Sequence, residues 1–385
     1  PGAPNDQAGS ITVLPAPSSN LSGGFYSEPV ILALFSNVTG ASIFYTTNCS
    51  EPGDSDLEYQ EPVEIDSTTI IRAKLIKEGA VSGPVLTISV IIDGNPYENP
   101  VVSLVAEPDA LYGNAGLISD NNSYIEVSAN VEFIEKGATR FRGGTGITLH
   151  APKATMPNSL RLSARSRYGN SWFDYAFFQE KGPDKFKRLI LRNSGNDNVN
   201  KATTNTHFRD PLIQTIARKS NKKPLVSESL PVNVFLNGSY HGLFNMRERE
   251  DEYYIETHTG ITENYTLIEL AFGYYGNRNP IVGSFSTWTE LLTFVDTTGD
   301  LSLDADFSIA EEMVDLDNFT DYWITEVFAG NYDWLSNNVK FWKPDDGKWQ
   351  WLYWDTDHGL GLQYSNYEEV NWNTLVWSLT FGDRA

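Results

Sequence analysis

The chain has 385 residues, 40% of them hydrophobic, and carries 28 Lys and Arg against 50 Asp and Glu, a net charge of −22. That length calls for two or three domains rather than one core, and that charge repels nucleic acid and anionic membrane, which argues against a nucleic-acid role. The single cysteine, Cys49, rules out an intramolecular disulfide and a cysteine zinc site, and no apolar run reaches the ~20 residues that span a bilayer.

An excess of carboxylates suits cationic partners or divalent metal, and it also simply keeps a protein soluble. Aromatic residues make up 13%, a bias common in β-rich extracellular proteins and suited to stacking on sugars. One cysteine in an acidic, Asn- and Tyr-rich chain reads as an exported bacterial protein, extracellular or at the cell surface. The start, PGAPNDQAGS, reads as a trimmed end, consistent with lipid anchoring through a removed N-terminus.

Residues 1–20 are rich in Pro, Ser, Asn and Gly and read as a linker. From Gly23 to about residue 95, short β-rich runs (FYSEPVILALF, ASIFYTT, EPVEI, TTIIRAKLIK, VLTISVII) alternate with Gly, Asn, Asp and Pro. That spacing predicts an all-β sandwich. IIDGNPYENP breaks the pattern and marks a boundary. Alternation over Ile125–Ile134 then predicts a half-buried antiparallel strand.

In RFRGGTGITLHAPKATMPNSLRLSAR, a basic strand leads into Gly143 and Gly144, a loop, and a second strand at Ser159–Ala164. Glycines let backbone N–H groups approach an anion, with Arg142 and Arg161 placed to face it. A plain hairpin with Gly at a bulge accounts for the same residues. FKRLILRNSGND is a strand ending in a polar turn, and HFRDPLIQTIARKS has helical spacing at Leu212, Ile213, Ile216 and Ala217, with Pro211 in the first turn. Asn237-Gly238 predicts a two-residue hairpin turn.

TWTELLTFVDTTGD and FSIAEEMVDLDNFTDYWITEVFAG have helical periodicity, with Asp306 as a candidate cap of the second helix. Asp315, Asp317 and Asp321 lack the Gly and final Glu of a calcium loop and read as a cap and a solvated face. VKFWKP and KWQWLYWDTD predict a hairpin with Pro344–Gly347 at its tip. The tryptophans of that hairpin read as packing groups, since Trp349 and Trp351 share one strand face.

NYDWLSNN and WDTDHGLG hold the chemistry. An Asp (Asp333) five residues before an Asn (Asn338), then a hairpin ending in Asp355 and Asp357, is the layout by which phosphotransferases hold metal and nucleotide phosphates. Asp and Asn also populate ordinary turns, so the spacing alone is suggestive.

Two resemblances sharpen this. Residues in GGFYSEPVILAL, IFYTTNCSEP and TTIIRAKLIKEGAVSGPV resemble the small immunoglobulin-like domain that accompanies chitobiases, mostly a spacer. From about residue 135 onward, RFRGG, the Ser159–Leu162 strand, LRNSGND, FRD, VFLNGSYHGLFNMRE, VDLDNFTDYWITE, GNYDWLSNN and WLYWDTDHGLG resemble, in order, the CotH family of spore-coat and surface proteins, atypical protein kinases.

The resemblance implies an α+β chain: a sandwich at 21–95, then a kinase-like domain at 96–385 with a β-rich lobe (about 96–250) and a helical lobe (about 251–385), expected to be incomplete at its C-terminus. It implies ATP with magnesium or manganese and a protein substrate phosphorylated on Ser or Thr, a basic one being favoured. Asp333 then matches the catalytic Asp. Asn338, Asp355 and Asp357 match the metal ligands. Arg142, Gly143, Gly144, Arg161 and Arg192 face the nucleotide, with Glu248 orienting a cation. The chain departs from the family pattern at Met156-Pro157-Asn158-Ser159, where a lysine is expected. Either Arg161 or Lys153 takes that role, or nucleotide binding is weakened and the protein is a non-catalytic surface scaffold or adhesion protein. A carbohydrate-active surface protein is the third expectation, and it needs two carboxylates facing across an open aromatic groove.

Overall fold

The computed structural model describes residues 12–93, 97–120, 125–150, 157–178, 182–220, 225–270, 278–331, 333–334 and 337–362. Lys153, Met156 and the chain beyond residue 362 lie outside the described residues. The chain divides into two compact units, one made of residues 1–152, 160–171 and 231–244, the other of 153–159, 172–230 and 245–385.

In the first unit, the β-rich runs form the expected sandwich. Thr69–Ile76 alternates buried and half-buried side chains because one face meets the core of Leu32, Leu34, Ile43, Ile71, Leu75 and Ile88. It pairs antiparallel with Ser42–Thr46 and with Leu86–Ile92. Part of the expected linker belongs to this module. Leu14 is 2% exposed in its core, Val13 bridges to Val81, and Ser18–Ser19 pairs with Leu34–Phe35. A leucine and a valine among the prolines are enough apolar surface to dock the segment.

The sandwich is built into the β-rich region that follows it. Gly24–Tyr26 lies parallel to Leu86–Ile92 and meets the Ala138–His150 strand at Gly24 and Ala138. Val127–Glu135 pairs antiparallel with both Val101–Ala106 and Ala138–His150, and Val101–Ala106 lies parallel to Ser229–Leu236. Val127, Ala129, Val131 and Phe133 point to the core as the alternation predicts. Glu132, on the other face, is also buried, because the sandwich covers it. Its carboxylate accepts hydrogen bonds from the Ser89 backbone N–H at 2.7 Å and from Arg142 Nε and Nη2 at 2.9 and 2.6 Å. A spacer on a tether would leave that acid in water.

The Asn237-Gly238 turn forms as expected, both residues having positive φ (50° and 79°). The Asn237 side chain also pairs both ways with the Ala106 backbone at 2.9 Å.

In the second unit, Arg188–Arg192 pairs antiparallel with residues 245–248. A four-stranded sheet runs in the order Arg278–Val282, Tyr265–Leu270, Val339–Pro344, Gln350–Leu352. Its core is Trp288, Phe341, Trp349, Trp351, Tyr322 and Trp334, so the hairpin tryptophans are packing groups. Trp334, Trp342, Trp349 and Trp351 are all buried.

The long helical stretch divides into Asp304–Met313 and Leu316–Ala329. Asp315 caps the second piece, accepting from Asn318 N–H at 3.1 Å. Asp306 is not a cap: it lies within the first turn and accepts from the Asp300 N–H at 2.7 Å. Val314 turns extended and bridges to Trp349, which breaks a run whose periodicity alone reads as continuous.

Replacing Glu132 by Ala leaves Arg142 and the Ser89 N–H without their acceptor. The expected loss is roughly 2–3 kcal/mol, below the full cost of breaking a buried pair because Arg142 is partly solvated. A lowered midpoint in urea unfolding is the readout, and an unchanged midpoint would mean the seam carries no stability.

Candidate active site

The LRNSGND turn at the end of Arg188–Arg192 is held by Asn193. Its backbone N–H donates to Ser159 Oγ at 2.9 Å, its Nδ2 donates to the Pro157 carbonyl at 2.8 Å, and its Oδ1 accepts from the Gly195 N–H at 2.9 Å. Ser194 and Gly195 take left-handed backbone, φ 67° and 52°. A Cβ on Gly195 would lie 2.5 Å from Asp357 Oδ2, so only glycine lets this turn close on the aspartate. The reward is a hydrogen bond from the Asn196 N–H to Asp357 at 2.9 Å.

Asp197 begins the next link. It is fully buried, accepts from the Thr206 and Arg209 backbone N–H groups at 2.8 and 3.0 Å, and is ion-paired with the Arg209 guanidinium. This acid satisfies the first turn of the Arg209–Ser220 helix.

Asp210, one residue into that helix, faces inward. Its carboxylate holds the Arg247 guanidinium, accepts from Gln214 Nε2 at 3.1 Å, and accepts from both the N–H and the hydroxyl of Thr356 at 2.9 Å. Burial opposes its ionisation, but the Arg247 and Arg192 charges outweigh it and hold the carboxyl down at about 2. Asp210 thus pins the residue between Asp355 and Asp357. In the sequence, it reads as an acid at a helix start, complementing the dipole, and only the FRD motif marks it.

Asn338 joins the two acidic stretches. Its Nδ2 donates to Asp333 Oδ2 at 3.1 Å and lies 3.4 Å from the Asp355 carbonyl. Asn337 also donates to Asp333, at 2.8 Å. Asn338 and Asp355 both have left-handed backbone, φ 57° and 54°, a conformation costing non-glycine residues about 1–2 kcal/mol each. The loops keep it because Asn and Asp tolerate it best and because these bonds fix it.

Arg192 pairs with Asp355 and, at 3.0 Å, with Asp357. Burial disfavours its charge, yet the two carboxylates raise its pKa above the ordinary value. Asp357 is 1% exposed. Burial, with the Asp355 charge adding to it, pushes its pKa up against the pull of Arg192.

The structure therefore brings Asp333, Asn338, Asp355, Asp357 and Arg192 together in one unit. Arg192, expected to face nucleotide phosphates, is engaged by the two aspartates expected to bind metal. Glu248, expected to orient a phosphate cation, instead accepts from the Glu228 N–H at 2.9 Å and bonds His258 at 2.8 Å.

Arg142, Gly143, Gly144 and Arg161 belong to the other unit. There, Arg142 is engaged by Glu132. Gly143 and Gly144 allow close approach of residues 168–170: a Cβ on Gly144 would lie 1.7 Å from the Tyr168 carbonyl oxygen, and one on Gly143 would lie 2.0 Å from Asn170 Nδ2. The Tyr168 backbone and the Asn170 side chain take the space read as room for an anion. Arg161 is the half-buried centre of an otherwise buried strand.

The donor set fits a hard divalent cation. Asp357 Oδ1 is buried without a hydrogen bond, and Asn338 uses only its nitrogen in the bonds above. Among the described residues, no three His, Cys, Asp or Glu side chains converge; a magnesium ion placed here would draw on Asp355, Asp357 and the Asn338 amide oxygen, with water or phosphate oxygens completing its shell.

A family model described as "CotH kinase protein" matches residues 139–380, and one described as "Chitobiase/beta-hexosaminidase C-terminal domain" matches residues 21–87. A search of curated proteins finds no match.

Asp210→Asn is expected to cost roughly 2–3 kcal/mol, the worth of the lowered carboxyl pKa, since Arg247 keeps Glu250 as its other partner. The folded carboxyl is held near 2 against an ordinary 3.8. Its contribution is present above the ordinary value and is lost as pH falls toward 2. Unfolding curves between pH 5 and 2 should show wild type converging on the variant, and a constant gap would contradict the assignment.

Proposed function

We infer the function from one premise: the chain belongs to the CotH kinase protein family, whose model covers residues 139–380. It is a kinase-like protein. We propose that it is an active, metal-dependent phosphotransferase that moves the γ-phosphate of ATP to a Ser or Thr hydroxyl of a surface or secreted protein. The observation that carries this is the Asn338 side chain bonded to Asp333 and lying against the Asp355 carbonyl.

Asp333 is half-buried and accepts two amide N–H groups through one oxygen, Oδ2. Those donors aim the carboxylate, which orients the acceptor hydroxyl and takes its proton as the oxygen–phosphorus bond forms and the bond to ADP breaks. Asp355, Asp357 and the Asn338 amide oxygen are the groups that hold magnesium or manganese. When bound, the metal neutralises phosphate charge. Arg192 supplies the cation of the same cluster, and its pairing with the aspartates keeps it there before any phosphate arrives. A net charge of −22 favours a basic acceptor segment. Composition, with one cysteine and an acidic surface, supports action outside the cell.

A second reading, a non-catalytic surface scaffold, is favoured by one observation: Arg142 and Arg192 are both already engaged by carboxylates. Labelled ATP with manganese separates the two. Wild type should label itself or a basic Ser-rich peptide. Asp333→Asn should lower the rate about 10²–10⁴-fold while keeping the nucleotide-induced thermal shift, and Asp355→Asn should lose that shift. No transfer and no shift in wild type would sink the kinase reading.

A further inference from the structure

Eight carboxylates of the described residues are buried: Glu132, Asp197, Asp210, Glu248, Glu250, Asp251, Glu326 and Asp357. Six have an arginine partner, namely Arg142, Arg209, Arg247 (for both Asp210 and Glu250), Arg188 and Arg192, and Glu248 bonds the His258 ring. Glu326, fully buried in the last turns of the Leu316–Ala329 helix, has neither.

Among the described residues its carboxyl has one hydrogen bond, from Asn331 Nδ2 to Oε2 at 2.8 Å. The other oxygen of each group, Glu326 Oε1 and Asn331 Oδ1, is buried with no partner. Two planar groups are thus joined by one hydrogen bond while each keeps an orphan acceptor, and a proton shared between Oε1 and Oδ1 would satisfy both.

We propose that Glu326 is a neutral carboxylic acid that closes a two-point acid–amide pair with Asn331 and so positions Asp333. The pair needs no cation and satisfies both orphan acceptors, which are otherwise left buried and unpaired at a cost to folding. Burial, opposed by the Asn331 hydrogen bond and aided by the Asp210 charge, pushes the Glu326 carboxyl up to about 8. Asp210, from the packed Arg209–Ser220 helix, and Tyr322, on its own helix, are the titratable groups that feel its charge. Asp210 itself is neutralised by Arg247.

The link to Asp333 is short. Asn331 follows the left-handed Gly330 cap, and its N–H donates to the Glu326 carbonyl at 3.1 Å. On the other side of Asp333, the Trp334 backbone N–H donates to the Asn331 carbonyl at 3.3 Å, and Trp334 Nε1 donates to the Tyr322 hydroxyl at 2.9 Å. Tyr322 and Glu326 are one helical turn apart, so one helix face holds both residues that flank Asp333. Glu326 touches no reacting atom and is a positioning residue.

The meaning of Asp333 rests on the kinase reading, but the test does not. Glu326→Gln carries its own N–H to Asn331 Oδ1 and cannot ionise, whereas Glu326→Leu keeps the volume and loses the pair. At pH 7, hydrogen exchange should show the Asn331 and Trp334 amides as protected in Glu326→Gln as in wild type, and exposed at least tenfold more in Glu326→Leu. With a folded carboxyl raised above its ordinary value, stability is fully present below that value, about 4.3, and is lost as pH rises toward 8. The folding equilibrium of wild type relative to Glu326→Gln should therefore fall by up to about tenfold per pH unit across that window. Parallel pH profiles for wild type and Glu326→Gln, or Glu326→Gln as exposed as Glu326→Leu, would overturn the proposal. Absent phosphotransfer with these results intact would overturn the kinase reading alone.

Discussion

The arrangement depends first on the buried Asp210 carboxylate. It takes Arg247 on one side and the N–H and hydroxyl of Thr356 on the other. Arg247 in turn holds Glu250 at 2.8 Å, Glu250 accepts from the Ser227 hydroxyl, and the Glu250 carbonyl accepts from Lys340 Nζ at 2.9 Å. A helix, an edge of strand, the central hairpin strand and the Asp355–Asp357 loop are thereby fixed to one another by charge. Such a network adds little net stability over an apolar core, because desolvation offsets attraction. What it contributes is uniqueness: each charge accepts only the geometry that satisfies it, so the loop that carries two aspartates has one position.

The second support is the Leu316–Ala329 helix. Its C-terminal turns hold the Asp333 loop through Glu326 and Tyr322, and the Ala329 carbonyl accepts from the Leu360 N–H at 2.6 Å. Both acidic stretches therefore end on one helix, which is packed on Trp334, Trp349 and Trp351. The tryptophan content reflects this task. Large flat side chains fill the space between a helix and a four-stranded sheet and make the platform stiff.

Much of the fold was legible because it follows local rules. Asn237-Gly238, the Asp315 cap and the alternation around Val131 are each fixed by neighbours in sequence. Asp333, Asn338 and Asp355 stood out because their spacing was itself the signal. What could not be read is what depends on distant residues. Nothing local shows that Glu132 is covered by Ser89, that Gly144 faces the Tyr168 carbonyl, or that Asp210 reaches Thr356 across 146 positions. Arg142 beside two glycines has the pattern of an anion cradle, yet Arg142 is engaged by the Glu132 carboxylate and the glycines face Tyr168 and Asn170.

That outcome follows from the charge balance. In a chain with 50 acids and 28 Lys and Arg, burial of most acids recruits a cation, and arginine's long stem and fork let it answer from a partly exposed position. Arg142, Arg188, Arg192 and Arg209 all do so. An arginine here is thus first a partner for a buried acid, and its reading as a phosphate ligand needs evidence beyond neighbouring glycines. The same accounting isolates Glu326. Where no guanidinium can reach, the remaining way to bury a carboxyl is to keep its proton, and a neutral acid is the one form that can donate a hydrogen bond to an amide oxygen. The acidity of the sequence thus determines both features of the site: one guanidinium, Arg192, already in place at Asp355 and Asp357, and a protonated acid behind the Asp333 loop.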